Sequence, residues 1–208
     1  MNHPVPLALI ALFALTSCHT LAIGAATTTT AVAMEERTFG EAVDDGAIYI
    51  EINHYFVQAD IVDLVPNVNI IIRQGRVMLT GQVDKPETAT IAVREAWKAK
   101  GVKEVINEII TTPYAGVIDR ANDEIIEKNL EARLTITKGV NILNYSVDVV
   151  NKTAFLLGYV ATEQELNNVL SVARTTKGVR RVISHLRLPH QVPGALDNPA
   201  NDGRAAWE

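Results

Sequence analysis

The chain has 208 residues, of which 48% are hydrophobic, 21% charged and 5% aromatic, a profile of a globular protein with room for one large domain or two small ones. With 12 glycines and 8 prolines, collagen-like and low-complexity chains are excluded. The net charge of −5 argues against a chain-wide nucleic-acid footprint, and the single cysteine excludes an intramolecular disulfide and a cysteine-rich zinc site.

Residues 5–15 (VPLALIALFAL) form an uncharged apolar run too short for a bilayer-spanning helix of about 20 residues but of the length found in signal peptides. The run ends in Leu15-Thr16-Ser17-Cys18, the pattern of a bacterial lipobox. Residues 1–17 are therefore expected to be a lipoprotein signal peptide and Cys18 the acylated (palmitate-bearing) N-terminus of the mature chain. An ordinary signal peptide cleaved after Ala25 or Ala26 is the alternative, and Met1 to Pro4 lack the usual basic residues. His19, where an aspartate would favour retention in the inner membrane, points by analogy to the outer membrane, facing the periplasm. Residues 18–40, rich in Ala and Thr at their start, read as a flexible tether.

Sliding the chain against itself by 77 positions aligns 67–111 with 144–188 without a gap, and ten positions are identical. Among them are Asn67/Asn144, Leu79/Leu156, Gly81/Gly158, Gly101/Gly178 and Val105/Val182, so the chain reads as a tandem duplication. In each copy, Ile48, Ile52 and Phe56, or Ile126, Leu130 and Leu134, recur every four residues and predict a helix. Alternating Val68, Ile70 and Ile72, then Val77, Leu79 and Gly81, flank Gln74-Gly75 and predict a hairpin; Tyr145, Val147 and Val149, then Ala154, Leu156 and Gly158, repeat it around Asn151-Lys152. A second helix carries Ala89, Ala92, Val93, Ala96 and Trp97 on one stripe, or Leu166, Val169, Leu170 and Ala173, and is expected to end at Gly101 or Gly178 as its C-terminal cap. Strands over 102–110 and 179–188 close the units. The fold class expected is α+β: two tandem small αββαβ domains, each a three-stranded mixed sheet covered by two helices on one face. The boundaries are 41–112 for the first domain, 113–121 for a linker, 122–189 for the second domain and 190–208 for a disordered tail. Gly75, Gly81, Gly101, Gly158 and Gly178 are assigned structural roles, Gly81 and Gly158 where a side chain would strike the covering helix or a backbone twist would be lost. The repeats are expected to fold independently.

The run Gly75-Arg76-Val77-Met78-Leu79-Thr80-Gly81-Gln82-Val83 resembles the G-x-V-x-L-x-G-x-V heart of the BON domain, and Gly101-Val102-Lys103-Glu104-Val105-Ile106-Asn107 resembles its G-V-x-x-V-x-N closing motif. The second copy keeps Leu156-x-Gly158-x-Val160 and Gly178-Val179-x-x-Val182, with Lys152 in place of Gly75 and Ser184 in place of Asn107. The resemblance covers about residues 44–190, and a lipobox followed by two BON domains is similar to the dual-BON envelope lipoproteins of Gram-negative bacteria. It implies phospholipid binding and support of the envelope under stress, without enzymatic activity.

The residue chemistry points the same way. His54, His185 and His190 lack metal-ligand spacing, and no phosphate loop, nucleophile elbow or zinc-protease motif occurs; no cofactor, metal or catalytic residue is expected. The pairs Glu35-Glu36 and Asp44-Asp45 are read as carboxylates at a helix N-terminus. Charge is segregated: residues 35–66 carry eight acids against Arg37 alone, whereas 166–190 carry Arg174, Lys177, Arg180, Arg181 and Arg187 and no acid. These five are the candidate lipid-binding residues, since a cation near an anionic leaflet gains about 1 kcal/mol. Tyr145 and Phe155 are weighed as apolar insertions, with burial favoured for at least one. The expected partners are anionic phospholipids or a membrane surface, and not nucleic acid. The alternative is an envelope protein-interaction module in which the acidic and basic domains bind partner proteins or pack against each other.

Overall fold

In a computed structural model the described residues are 39–59, 64–112 and 117–188. Cys18, the signal segment, residues 18–38 of the expected tether, Glu35-Glu36, His190 and the C-terminal tail lie outside them; Phe39 and Gly40, expected to end the tether, are helical.

The first domain runs α1 (Phe39–Gln58), a helical turn (Leu64–Asn67), β1 (Val68–Arg73), β2 (Arg76–Val83), α2 (Pro86–Ala96), β3 (Glu104–Asn107) and β4 (Ile110–Thr111). The second runs α3 (Val117–Ile136), a 3-10 turn (Ile142–Asn144), β5 (Tyr145–Val150), β6 (Thr153–Tyr159), α4 (Glu163–Thr175) and β7 (Arg181–Arg187). Thus α3 begins inside the stretch expected to be a linker. In each domain an antiparallel hairpin receives a parallel third strand beside its second strand. Arg76 pairs with Glu104 and Thr153 with Arg181, an offset of 28 residues in both copies. The first sheet has a fourth segment, β4, which pairs β2 through Gln82 and Ile110. Its register is that of β3, so the expected closing strand is present but interrupted at Glu108 and Ile109.

Period-two alternation divides each sheet into a helix face and a free face. Val77 and Leu79 join Ile48, Ile52, Phe56, Ala89, Ala92 and Ala96 in the first core; Ala154 and Leu156 join Ile126, Leu130, Leu134, Val169 and Ala173 in the second. The opposite faces of the two sheets meet each other. Met78, Phe155, Leu157 and Val150 form a third buried cluster, with Ile71, Ile106, Ile110 and Ile183 packed against it. The architecture is therefore four layers, helix, sheet, sheet, helix. Burying large side chains such as Met78, Phe155 and Leu157 stabilises by about 1.5–3 kcal/mol each, which couples domains expected to be independent.

Both hairpin turns place two residues at positive φ, Gln74 (54°) with Gly75 (78°) and Asn151 (48°) with Lys152 (60°), as a two-residue type I′ turn requires. An aspartate from the preceding helix holds each turn. Asp45 accepts from the Gln74 and Gly75 amides, both at 2.8 Å, and Asp123 from those of Asn151 and Lys152 at 2.6 and 2.9 Å. Asp45 is thus a turn ligand inside α1, not a carboxylate at its N-terminus.

The constraint on Gly81 and Gly158 comes from backbone and not from the covering helix. Their φ values are 120° and 145°, and a Cβ would lie 2.0 Å from the Asn67 carbonyl oxygen or 2.4 Å from that of Asn144. Both asparagines belong to the repeat identities. Gly101 and Gly178 do adopt positive φ, but the helix caps are Trp97 and Thr176, and the glycines lie in the turns leading to the third strands; Trp97, expected on the apolar stripe, is 52% exposed because it stands past the last helical turn, outside the core.

Candidate membrane-facing site

Four of the five expected lipid-binding cations gather at one end of the second domain. α4 is started by Thr162, whose hydroxyl accepts from the Glu165 amide at 3.1 Å, and its last turn carries Arg174, where a cation complements the helix dipole. Lys177 follows in the turn. The Arg180 amide donates to the Lys152 carbonyl at 2.7 Å, which ties this turn to the Asn151-Lys152 hairpin. Arg174, Lys177, Arg180 and Arg181 are all exposed, and Lys152 is half-buried beside them. The Asn151-Lys152 hairpin is held in turn by Asp123, which is buried and bonded to the two backbone amides.

Arg187 is elsewhere. It ends β7, six residues beyond Arg181, about 20 Å along a strand rising some 3.3 Å per residue. There its Nη2 donates to Glu104 Oε1 of the first domain at 2.9 Å. Arg76 Nε donates to the other Glu104 oxygen at 2.8 Å, and its Nη1 to the His185 carbonyl at 3.0 Å. Arg76 also lies over the Tyr159 ring, 5.7 Å from its centroid. Burial works against ionised Glu104, but Arg76 and Arg187 outweigh it and hold the carboxyl below its usual value.

The rest of the seam is polar at its edges. Asp148 accepts from the Thr80 hydroxyl and from Asn69 Nδ2 at 3.3 Å. Arg73 donates to Ser146 Oγ at 3.0 Å and to the Tyr145 carbonyl at 3.1 Å. The end of β1 thus meets the start of β5, and the start of β1 meets Asp148 nearer its end, so the facing hairpins run antiparallel across the seam. His185 Nε2 lies 2.8 Å from Glu108 Oε1, which makes His185 a seam residue. His54 contacts Gln58 on α1 at 2.8 Å. Among the described residues no group of three or more His, Cys, Asp or Glu could hold a metal.

Tyr145 and Phe155 are both buried, Phe155 in the seam, so neither is an insertion residue. A cavity of about 180 Å³ opens where the domains meet, lined by Asn69, Arg120, Asp123, Glu124, Glu127 and Asp148 among others. Its carboxylates oppose an anionic ligand. Burial pushes the Glu127 carboxyl up to about 7, with Asp148 adding to the rise and Lys128 opposing it.

Sequence reasoning missed Asp45, Asp123, Arg76, Glu104 and Asp148. The first two had a signal, because they match at the offset of 78 that relates the two long helices. Arg76 had a weaker one, as the single charge of β2, at its first position.

The BON domain family matches residues 56–113 and again residues 122–189. The chain belongs to the BON-domain family. Similar proteins include an uncharacterised protein in the gshII 5′ region of Anaplasma centrale, 36% identical over 149 residues, 71% of this chain and 97% of that protein. The outer membrane lipoprotein DolP of Haemophilus influenzae is 27% identical over 81% of this chain and 87% of its own. The 21 kDa hemolysin of Actinobacillus pleuropneumoniae is 27% identical over 72% and 77%. No described helix of this BON pair is long and apolar enough to cross a membrane.

Proposed function

We propose that this BON protein is an outer-membrane lipoprotein, anchored through Cys18 and facing the periplasm, that binds anionic phospholipid surfaces and supports envelope integrity by binding and not by catalysis. The observation that carries this reading is the gathering of Arg174, Lys177, Arg180 and Arg181, all exposed, at the Lys152 end of the second domain. A few such cations at about 1 kcal/mol each suffice once acyl chains supply proximity, and two or more chains give stable anchoring where one is marginal. The likeness to DolP, an outer membrane lipoprotein by name, supports the address. Arg187 is left out of the binding set because Glu104 holds it.

The test is co-sedimentation of residues 18–208 carrying Cys18→Ser, which retains both cores, with phosphatidylglycerol-containing or purely phosphatidylcholine vesicles. Binding is expected to the anionic vesicles alone. Absence of binding to either would transfer the function to protein partners. In cells, Cys18→Ser is expected to move the protein from the membrane fraction to the soluble periplasm; a mature chain beginning after Ala25 or Ala26 with no lipid mass would remove the anchor from the reading.

A further inference from the structure

The outer side of the first domain carries most of the large apolar side chains that the described structure leaves in solvent. On α1 these are Tyr49 (45% exposed), Ile50 (69%) and Val57 (66%), and Trp97 (52%) stands at the end of α2. Ile48, Ile52 and Phe56 point inward. At 3.6 residues per turn Ile50 and Val57, seven apart, share the opposite stripe with Ala47 and His54. From Gly46 to Gln58 the only charged residue is Glu51, and it faces sideways, accepting from the Lys100 amide at 2.8 Å. The stripe is thus a helix face without Lys, Arg, Asp or Glu, on which Ala47, Ile50 and Val57 flank His54 and its partner Gln58.

One flank of it, the end of α2, is cationic, whereas α1 itself carries Glu41, Asp44, Asp45 and Glu51 and no Lys or Arg. Lys98 Nζ lies 5.8 Å from the centroid of the Tyr55 ring on α1, which fixes the end of α2, with Trp97 and Lys100, beside this helix. Arg94, Lys98 and Lys100 are exposed, whereas Glu95, the acid that Arg94 and Lys98 contact, is buried. Near the start of α1, Asp44 is exposed and Asp45 is buried against the hairpin turn. An apolar stripe on α1, flanked on one side by the Trp and the cations at the end of α2, gives the surface formed by the two helices the side chains of a membrane interface, with rings at headgroup level and cations toward the phosphates. A second copy fits less well. A two-fold contact through this face would set the same cations against their own equivalents.

We propose that the α1 face of the first domain, Ile50 and Val57 bordered by Trp97, Lys98 and Lys100, is a second membrane-contact surface, an interfacial one, additional to the basic end of the second domain. This rests on the membrane-binding function proposed above. Electrostatic attraction at Arg180 and Arg181 brings the protein to the leaflet, and the α1 face adds shallow apolar insertion.

The chain has two tryptophans, Trp97 and Trp207, so Trp207→Phe leaves Trp97 as the sole reporter. In residues 18–208 carrying Cys18→Ser and Trp207→Phe, Trp97 emission is expected to shift to the blue on phosphatidylglycerol-containing vesicles and to be quenched by brominated lipid. Ile50→Glu with Val57→Glu, both at exposed positions, is expected to abolish both responses and weaken binding about tenfold, with the circular dichroism melt unchanged. Bound protein whose Trp97 is neither shifted nor quenched, or a double variant that binds like its parent, overturns the proposal while leaving the basic end in place. A blue shift that grows with protein concentration in the absence of lipid assigns the face to a second copy instead. A parent that binds no anionic vesicle overturns the membrane function and this surface with it.

Discussion

Arg187 and Glu104 join the two BON domains, guanidinium to carboxylate at 2.9 Å, and Glu104 simultaneously neutralises Arg76, whose side chain is only 4% exposed. The two arginines are not equivalent. Glu104→Ala leaves Arg76 buried beside carbonyl groups and the Tyr159 ring with no carboxylate, and losing one partner of such a pair costs about 3 kcal/mol or more. Arg187→Ala removes a partly exposed pair worth about 1 kcal/mol or less. Urea denaturation of the two variants is expected to show that order, and equal losses would put the importance of Glu104 in its contact with Arg187 alone. Since Glu104 is held below its ordinary value, its contribution is present at neutral pH and is lost as pH falls through the carboxylate range.

Gly81→Val and Gly158→Val each force a side chain against a carbonyl oxygen at a positive φ, at a cost of about 3 kcal/mol or more. Because Met78, Phe155 and Leu157 are buried only while the sheets face each other, either variant is expected to lower the midpoint of a single transition for both domains. Two separate transitions, one at the parental midpoint, would show that the seam does not couple them.

Lys152 holds φ at 60° in the second hairpin where Gly75 serves the first. A residue with a Cβ in this conformation costs about 1 kcal/mol relative to glycine, so Lys152→Gly is expected to raise the thermal midpoint slightly. A lower midpoint would mean that the lysine contributes more through its side chain than it costs through its backbone.

Glu127 titrates upward, to about 7, because it is buried near Asp148. In the unfolded chain it ionises near the ordinary 4.5, so between these values the folded state holds the extra proton and stability falls as pH rises. Glu127→Gln retains an acceptor for the Val149 amide, which Glu127 Oε2 meets at 3.3 Å. The variant is expected to match the parent near pH 4 and to melt higher at pH 8. A parallel pair of melting curves across that range would remove Glu127 as a source of pH dependence.

The duplication, the hairpins and both cores were legible because period-two and period-four patterns report which face meets a helix. The second faces of the sheets were not. Met78, Phe155 and Leu157 alternate with core residues, so each strand reads as a continuous apolar run with no indication of what covers its far side. The polar seam was hidden for a related reason: Arg76 with His185 and Asp148 with Thr80 are long-range pairs that no spacing predicts. The basic stretch was legible as composition, and only its three-dimensional placement separates Arg187, six residues along β7 and bound to Glu104, from Arg180 and Arg181 at the open end.

The most direct measurement is the affinity of residues 18–208, with Cys18→Ser, for phosphatidylglycerol-containing vesicles before and after Arg180→Glu with Arg181→Glu. Reversing two exposed cations, each worth about 1 kcal/mol at an anionic surface, is expected to weaken binding roughly tenfold or more and to leave the behaviour with phosphatidylcholine vesicles unchanged. A double variant that binds anionic vesicles as tightly as its parent would contradict the assignment of lipid attraction to the basic end of the second domain.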